Sequence, residues 1–113
     1  MSAITTHVLD TALGRPAAGV RVDLDVLEAP SWRTLGRGTT DSDGRLRTLL
    51  PDGAPLVPGE YRLVFNTNDY FAGLHTTSFY KRVTVEFTVG VNEAHYHVPL
   101  LLSPFGYSTY RGT

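Results

Sequence analysis

The alternation of side chains between residues 20 and 26 constrains this chain more than any other feature. Val20, Val22, Leu24 and Val26 occupy every second position, with Arg21, Asp23 and Asp25 between them. That is the period of a strand, whose successive side chains leave on opposite faces. The same pattern recurs in Tyr61, Leu63 and Phe65, and again in Val83, Val85, Phe87 and Val89 set against Arg82, Thr84, Glu86 and Thr88. Strands with one apolar face must bury it against another layer, so the pattern predicts an all-β sandwich or barrel. Weaker alternation over Ile4 to Leu9, Trp32 to Thr39, Arg45 to Leu49, Ala94 to Leu101 and Gly106 to Arg111 brings the expected total to eight strands. Turn-forming residues separate them at Leu13-Gly14-Arg15-Pro16, Asp43-Gly44, Pro51-Asp52-Gly53, Pro58-Gly59 and Val89-Gly90-Val91-Asn92. One helical interruption is expected over Thr67 to Leu74, with Thr67 capping it and Asp69 near its positive end.

At 113 residues the chain is expected to form one domain, 1–113, and its 42% hydrophobic content suffices for a core. Ten Lys and Arg against eleven Asp and Glu leave a net charge of -1, which supplies no basic field for nucleic acid or anionic lipid. The absence of Cys excludes disulfides, a thiol nucleophile and thiolate metal sites. No run approaches the length of an apolar membrane span, and Met1-Ser2-Ala3-Ile4 leads into patterned sequence without a targeting segment. The expected location is cytoplasmic, without membrane or nucleic-acid partners.

Chemistry must then come from imidazole, guanidinium and hydroxyl groups. The four histidines are His7, His75, His95 and His97, and imidazole titrates near neutrality. Alternation sets Tyr96, Val98 and Leu100 on one face, and His95, His97, Pro99 and Leu101 on the other. It likewise sets Thr6 and Val8 against Thr5, His7 and Leu9. The first set of each strand reads as core, so the histidines face outward, to solvent or to another subunit. Apolar Leu9, Pro99 and Leu101 beside imidazoles suit a concave intersubunit surface. His95-Tyr96-His97 is also a zinc-type pairing, but no further ligand lies nearby in sequence, so no metal is expected. Arg45, after the Asp43-Gly44 turn, is placed either to grip a planar anion or to be solvated at a hairpin end. The Asp residues fall mostly in turns or on solvent faces, and no nucleophile elbow or phosphate loop is present. The chain closes on Tyr107-Ser108-Thr109-Tyr110-Arg111-Gly112-Thr113, unusually aromatic and hydroxylic for a terminus that would otherwise be a plain edge strand.

These residues carry a resemblance. Thr6-His7-Val8-Leu9-Asp10 with Gly14-Arg15-Pro16-Ala17, Asp43-Gly44-Arg45, His95-Tyr96-His97-Val98-Pro99-Leu100-Leu101-Leu102-Ser103-Pro104 and the closing Tyr110-Arg111-Gly112 resemble the 5-hydroxyisourate hydrolases, the transthyretin-related enzymes of urate catabolism. The resemblance spans essentially the whole chain. It departs at Thr113, where Ser is usual, at Phe105, where Tyr is usual, and at Tyr80-Lys81, where Phe-Pro is common.

What the resemblance implies is a transthyretin-like, eight-stranded, two-sheet sandwich with one short helix, assembled as a homotetramer, a dimer of dimers whose facing sheets enclose a channel. It implies hydrolysis of 5-hydroxyisourate to 5-hydroxy-2-oxo-4-ureido-imidazoline-5-carboxylate without a cofactor. The catalytic residues it implies are His7, Arg45, His97 and Tyr110, with His7, Arg45, Tyr110, Arg111, Gly112 and Thr113 binding substrate. The alternative is a transthyretin-like carrier that binds a small ligand in the same channel. Carriers of that type lack the His, Arg, His and terminal Tyr-Arg-Gly combination.

Overall fold

A computed structural model describes residues 2–113. Its strands are β1 (Ile4–Asp10), β2 (Arg15–Pro16), β3 (Arg21–Glu28), β4 (Ser31–Thr39), β5 (Arg45–Leu46), β6 (Gly59–Phe65), β7 (Val83–Val89), β8 (Tyr96–Ser103) and β9 (Gly106–Thr109), with one helix, α1 (Thr67–Gly73). One sheet runs β2-β1-β8-β9 with β5 also paired to β1, and the other runs β4-β3-β6-β7. The two stack on the faces that alternation marked as apolar. Ile4, Val8, Tyr96, Val98, Leu100 and Leu102 from the first sheet meet Val22, Leu24, Tyr61, Leu63, Phe65, Val83 and Val89 from the second, all buried. Each fully buried side chain of this size stabilises the sandwich by roughly 1.5–3 kcal/mol.

The eight expected strands are all present, and their bounds move for local reasons. A ninth, β2, lies inside what reads as a turn, because Arg15 and Pro16 fold back onto Asp10 and Leu9 of β1. β5 is only two residues long. β8 begins at Tyr96, so His95 precedes it, and β9 ends at Thr109. Beyond β9 the tail makes an isolated bridge, Gly112 opposite His97.

The helix forms where expected, but Thr67 is not its cap. Asn66 takes that position without a side-chain bond to the helix, while Thr67 is buried in the first turn. Two aspartates are buried, and Asp25 thereby leaves the solvent face assigned to it. Asp25 is buried where the β3–β4 register shifts between Leu24 and Asp25, and its carboxylate accepts from Thr34 and from Arg62 at 2.9 and 2.8 Å. Asp10, buried at the end of β1, accepts from the Ala12 and Leu13 amides and from the Tyr70 hydroxyl at 2.7 Å. Burial together with that bond to Asp10 pushes the Tyr70 hydroxyl up to about 12. The end of β1 and the helix are thus tied through one carboxylate.

β1 is the strand on which the site depends. It runs parallel to β8, pairing Thr5 with His97 and His7 with Pro99, and antiparallel to β5, pairing His7 with Arg45. The β5 pairing requires a tight approach at Gly44, which has φ +76° and would place a Cβ 2.3 Å from the Val8 carbonyl oxygen. The Gly44 carbonyl accepts the Val8 amide at 2.7 Å. Gly44→Ala should therefore cost about 2–4 kcal/mol, a left-handed backbone penalty plus displacement of β1. Gly14, at φ +67° with nothing near its Cβ position, should cost only about 1–2 kcal/mol on the same change. Urea denaturation midpoints compare the two; equal losses would show that the Gly44 contact is not tight.

Candidate active site

The outer face of the first sheet collects the residues singled out by alternation. Thr5 and His7 leave β1 on that face, opposite in direction to Thr6 and Val8, and His97 leaves β8 beside them. Thr5, Thr6, Arg45, Arg47, His95, His97 and Thr113 line one cavity of ≈ 280 Å³. His7 sits next to it, across the β1–β5 pair from Arg45. The loop that delivers Arg45 is held by Asp41, whose carboxylate accepts the Asp43 and Arg45 amides at 2.9 and 3.0 Å. The Arg45 amide bond, more than any other contact, holds the Asp41 carboxyl below its ordinary range.

Hydrogen bonds restrict what each imidazole can do. His7 Nε2 lies 2.9 Å from the Asp43 carbonyl oxygen. A carbonyl only accepts, so Nε2 carries the hydrogen and Nδ1 is the nitrogen left to take a proton. His97 Nδ1 lies 2.8 Å from the Thr5 hydroxyl. Its Nε2 has no protein hydrogen-bond partner among the described residues. Burial lowers the His97 pKa, and the charges of Arg45, His7, His95 and Arg47 lower it further. At neutral pH His97 is therefore an uncharged imidazole, the form that accepts a proton from water.

The tail divides. The Gly112 amide donates to the His97 carbonyl at 2.8 Å, and a Cβ on Gly112 would fall 2.6 Å from His97 Cδ2, so only glycine lets the backbone lie against that ring. Thr113 reaches the cavity. Tyr110 and Arg111 do not line it. They border a groove with Val85 and Phe87 of β7, where Arg111 pairs with Glu93 at 3.1 Å and stacks over the Tyr96 ring at 4.5 Å. Of the residues named from sequence, one chain gathers Arg45, His97, Gly112 and Thr113, with His7 adjacent; Tyr110 and Arg111 lie elsewhere, and His75 lies beyond the helix end.

Sequence reading missed Thr5, Thr6 and Arg47 as site residues and left His95 only as half of a zinc pairing. Arg47 was findable, since it stands two positions from Arg45. Thr5 was not, because its role depends on the parallel partnering of strands at opposite ends of the chain.

Comparison with known proteins gives the family. The model of the HIUase/Transthyretin family matches residues 4–112. The chain belongs to that family. A relative from Rhizobium meliloti, 5-hydroxyisourate hydrolase 2, is 50% identical over 97% of this chain and 95% of its own length. The structure of Klebsiella pneumoniae 5-hydroxyisourate hydrolase superposes with a TM-score of 0.87 at 38% identity, covering 99% of this chain and all of that one. Sea bream transthyretin in complex with thyroxine superposes with a TM-score of 0.90 at 28% identity, over 98% of this chain and 95% of that one. Similar backbones thus belong to a 5-hydroxyisourate hydrolase and to a transthyretin found in complex with thyroxine.

The lowered pKa of His97 has a measurable sign. Because the folded chain resists protonating it, the unfolded chain binds more protons below the ordinary His value of about 6.5, so His97 withdraws stability as pH falls through that value toward its folded pKa. NMR titration should place the His97 midpoint below 6.5, and Arg45→Ala should raise it. A midpoint above 6.5 would contradict the burial argument.

Proposed function

We propose that this chain, as a single domain of residues 1–113, hydrolyses 5-hydroxyisourate to 5-hydroxy-2-oxo-4-ureido-imidazoline-5-carboxylate without a cofactor. The observation that carries the reading is the lining of the cavity by the guanidinium groups of Arg45 and Arg47, the imidazoles of His95 and His97, and Thr5 and Thr113. Such a lining suits a flat, polar, electron-rich heterocycle and is poorly matched to an apolar hormone. Family membership and the hydrolase relatives support the same reading.

In the reaction, water adds to a carbonyl carbon of the six-membered ring and the adjacent C–N bond breaks. The carbon leaves as a carboxylate, the nitrogen as the free end of a ureido group, and one proton is released. His97, uncharged and with a free Nε2, is assigned to take the proton from water. His7, whose bare Nδ1 can accept the proton that His97 has taken, is assigned to relay it to the departing nitrogen. Arg45 holds substrate oxygens and opposes the charge that develops on the attacked carbonyl. Tyr110 and Arg111 act from the neighbouring groove by holding the tail, so that Gly112 stays against His97 and Thr113 at the cavity. Acid–base help is worth roughly 10²–10⁴-fold, and positioning supplies much of the remainder.

The assembly proposed is a homotetramer, two dimers with their first sheets face to face. Leu9 and Leu101 lie half-buried on the outer face beside the histidines, and a second such face would cover them. Sedimentation at micromolar concentration should show tetramers; a monomer would remove the enclosed channel.

His7→Ala, Arg45→Ala and His97→Ala should each reduce kcat/KM by at least about 10²-fold with the fold retained. His75→Asn is the control, since His75 has φ 54° and Asn tolerates that left-handed backbone. Removing Tyr110 to Thr113 should cost about 1–2 kcal/mol of stability, because Tyr110 is 57% exposed, yet cost activity at least about 10²-fold through the loss of positioning. A truncated chain with near-normal turnover would make the tail an ordinary edge, and a His75 variant as impaired as His97→Ala would refute the assignment.

A further inference from the structure

His95 and Thr5 are left over by the reaction as assigned, and they meet. The Thr5 hydroxyl lies 2.8 Å from His97 Nδ1 and 3.3 Å from His95 Nε2. Thr5 is 3% exposed, so water does not compete freely for its oxygen. A hydroxyl has one hydrogen to give. It can donate to one of the two imidazoles, and toward the other it must accept. The tautomers of His95 and His97 are therefore coupled through one oxygen atom.

The surroundings decide the direction. His97 shares the cavity with Arg45 and Arg47, and both guanidinium groups act on its titration, as do His7 and His95. Guanidinium groups only donate. Positive charge favours a bare nitrogen lone pair on the cavity side of His97 and disfavours an N–H there, since the N–H would turn its positive end toward the cations. The hydrogen of neutral His97 then resides on Nδ1, where the Thr5 oxygen accepts it. The Thr5 hydroxyl gives its own hydrogen to His95 Nε2. His95 is exposed, so its Nδ1–H is free to meet water and the tautomer required of it costs little.

We propose that Thr5 is a positioning residue for hydrolysis and His95 its supporting acceptor, the pair holding His97 in the Nδ1–H tautomer with Nε2 bare toward the cavity. The inference deepens the reading of His97 as the base and rests on it for its catalytic consequence, while the tautomer itself is a property of the protein without substrate. Reversing the Thr5 hydroxyl would place the hydrogen on His97 Nε2 and leave it unable to take a proton from water. Fixing the tautomer of a general base is worth up to about 10⁴-fold in a Ser-His-Asp triad; a single neutral hydroxyl is a weaker restraint.

The test pairs NMR of the histidine rings with steady-state kinetics. Two-bond nitrogen–proton correlations on the full-length protein, at a pH where His97 is neutral, should show His97 protonated on Nδ1. Thr5→Val keeps the shape of the buried side chain but removes the hydroxyl. It should shift His97 toward the Nε2–H form and lower kcat by about 10–10²-fold with little change in KM. Thr5→Ser, which restores the hydroxyl, should return the Nδ1–H form and most of the lost turnover. His95→Ala removes the acceptor on the far side and should also raise the Nε2–H population, with a smaller fall in kcat.

His97 found as Nε2–H in the unmodified protein would overturn the proposal, as would a Thr5→Val tautomer indistinguishable from it. An unchanged tautomer in His95→Ala would overturn the role of His95. The NMR result holds whether or not the protein turns over substrate. A protein with the Nδ1–H tautomer and no hydrolysis would refute the proposed function while supporting the tautomer assignment, and normal kcat in Thr5→Val with a shifted tautomer would refute the catalytic role of Thr5.

Discussion

The parallel pairing of β1 with β8 is the constraint on which the site depends. It is a pairing between the two ends of the chain, with Thr5 and His97 92 residues apart in sequence. Parallel neighbours keep their side chains in step, so every second residue of both strands leaves on the same face. On the inner face this aligns Ile4 and Val8 with Tyr96, Val98, Leu100 and Leu102 in the core. On the outer face it aligns Thr5 and His7 with His97. The apolar residues that hold the sandwich together therefore also fix the spacing of the imidazoles, and a slip of one residue would exchange core for site.

The remaining groups are attached to this pair by short, specific contacts. Gly44 admits β5 against β1 and sets Arg45 opposite His7. Gly112 admits the tail against the His97 ring and carries Thr113 to the cavity. Asp41 holds the loop before Arg45 through two backbone amides. These are local devices on a common frame, and the proposed acid–base chemistry rests on the side chains of one sheet face rather than on the fold, which is shared with a transthyretin found in complex with thyroxine.

What was legible in the sequence follows the same division. Alternation identified the strands and chose the faces of His7 and His97, because burial of an apolar face leaves a period-two record in the residues themselves. It did not reveal β2, since Arg15 and Pro16 pair for only two residues and have no period. It misread Asp25 as solvent-facing because its partner Arg62 is distant in sequence. Thr5 was passed over for a related reason. A threonine on an outward face says nothing until the strand beside it is known, and that strand, β8, starts 91 residues further on, just after His95. Tyr110, read as a site residue from the closing motif, lies in one chain beside β7, and no pattern within the tail distinguishes that direction from the one Thr113 takes.

The central claim is that this outer face opens the ring of 5-hydroxyisourate. The direct measurement follows freshly generated 5-hydroxyisourate by its ultraviolet absorbance with increasing protein, with the product identified by NMR from reaction in ¹⁸O-labelled water. The account predicts decay in proportion to protein concentration and one labelled oxygen in the new carboxylate of the ureido-imidazoline. Decay at the spontaneous rate at every protein concentration would contradict it.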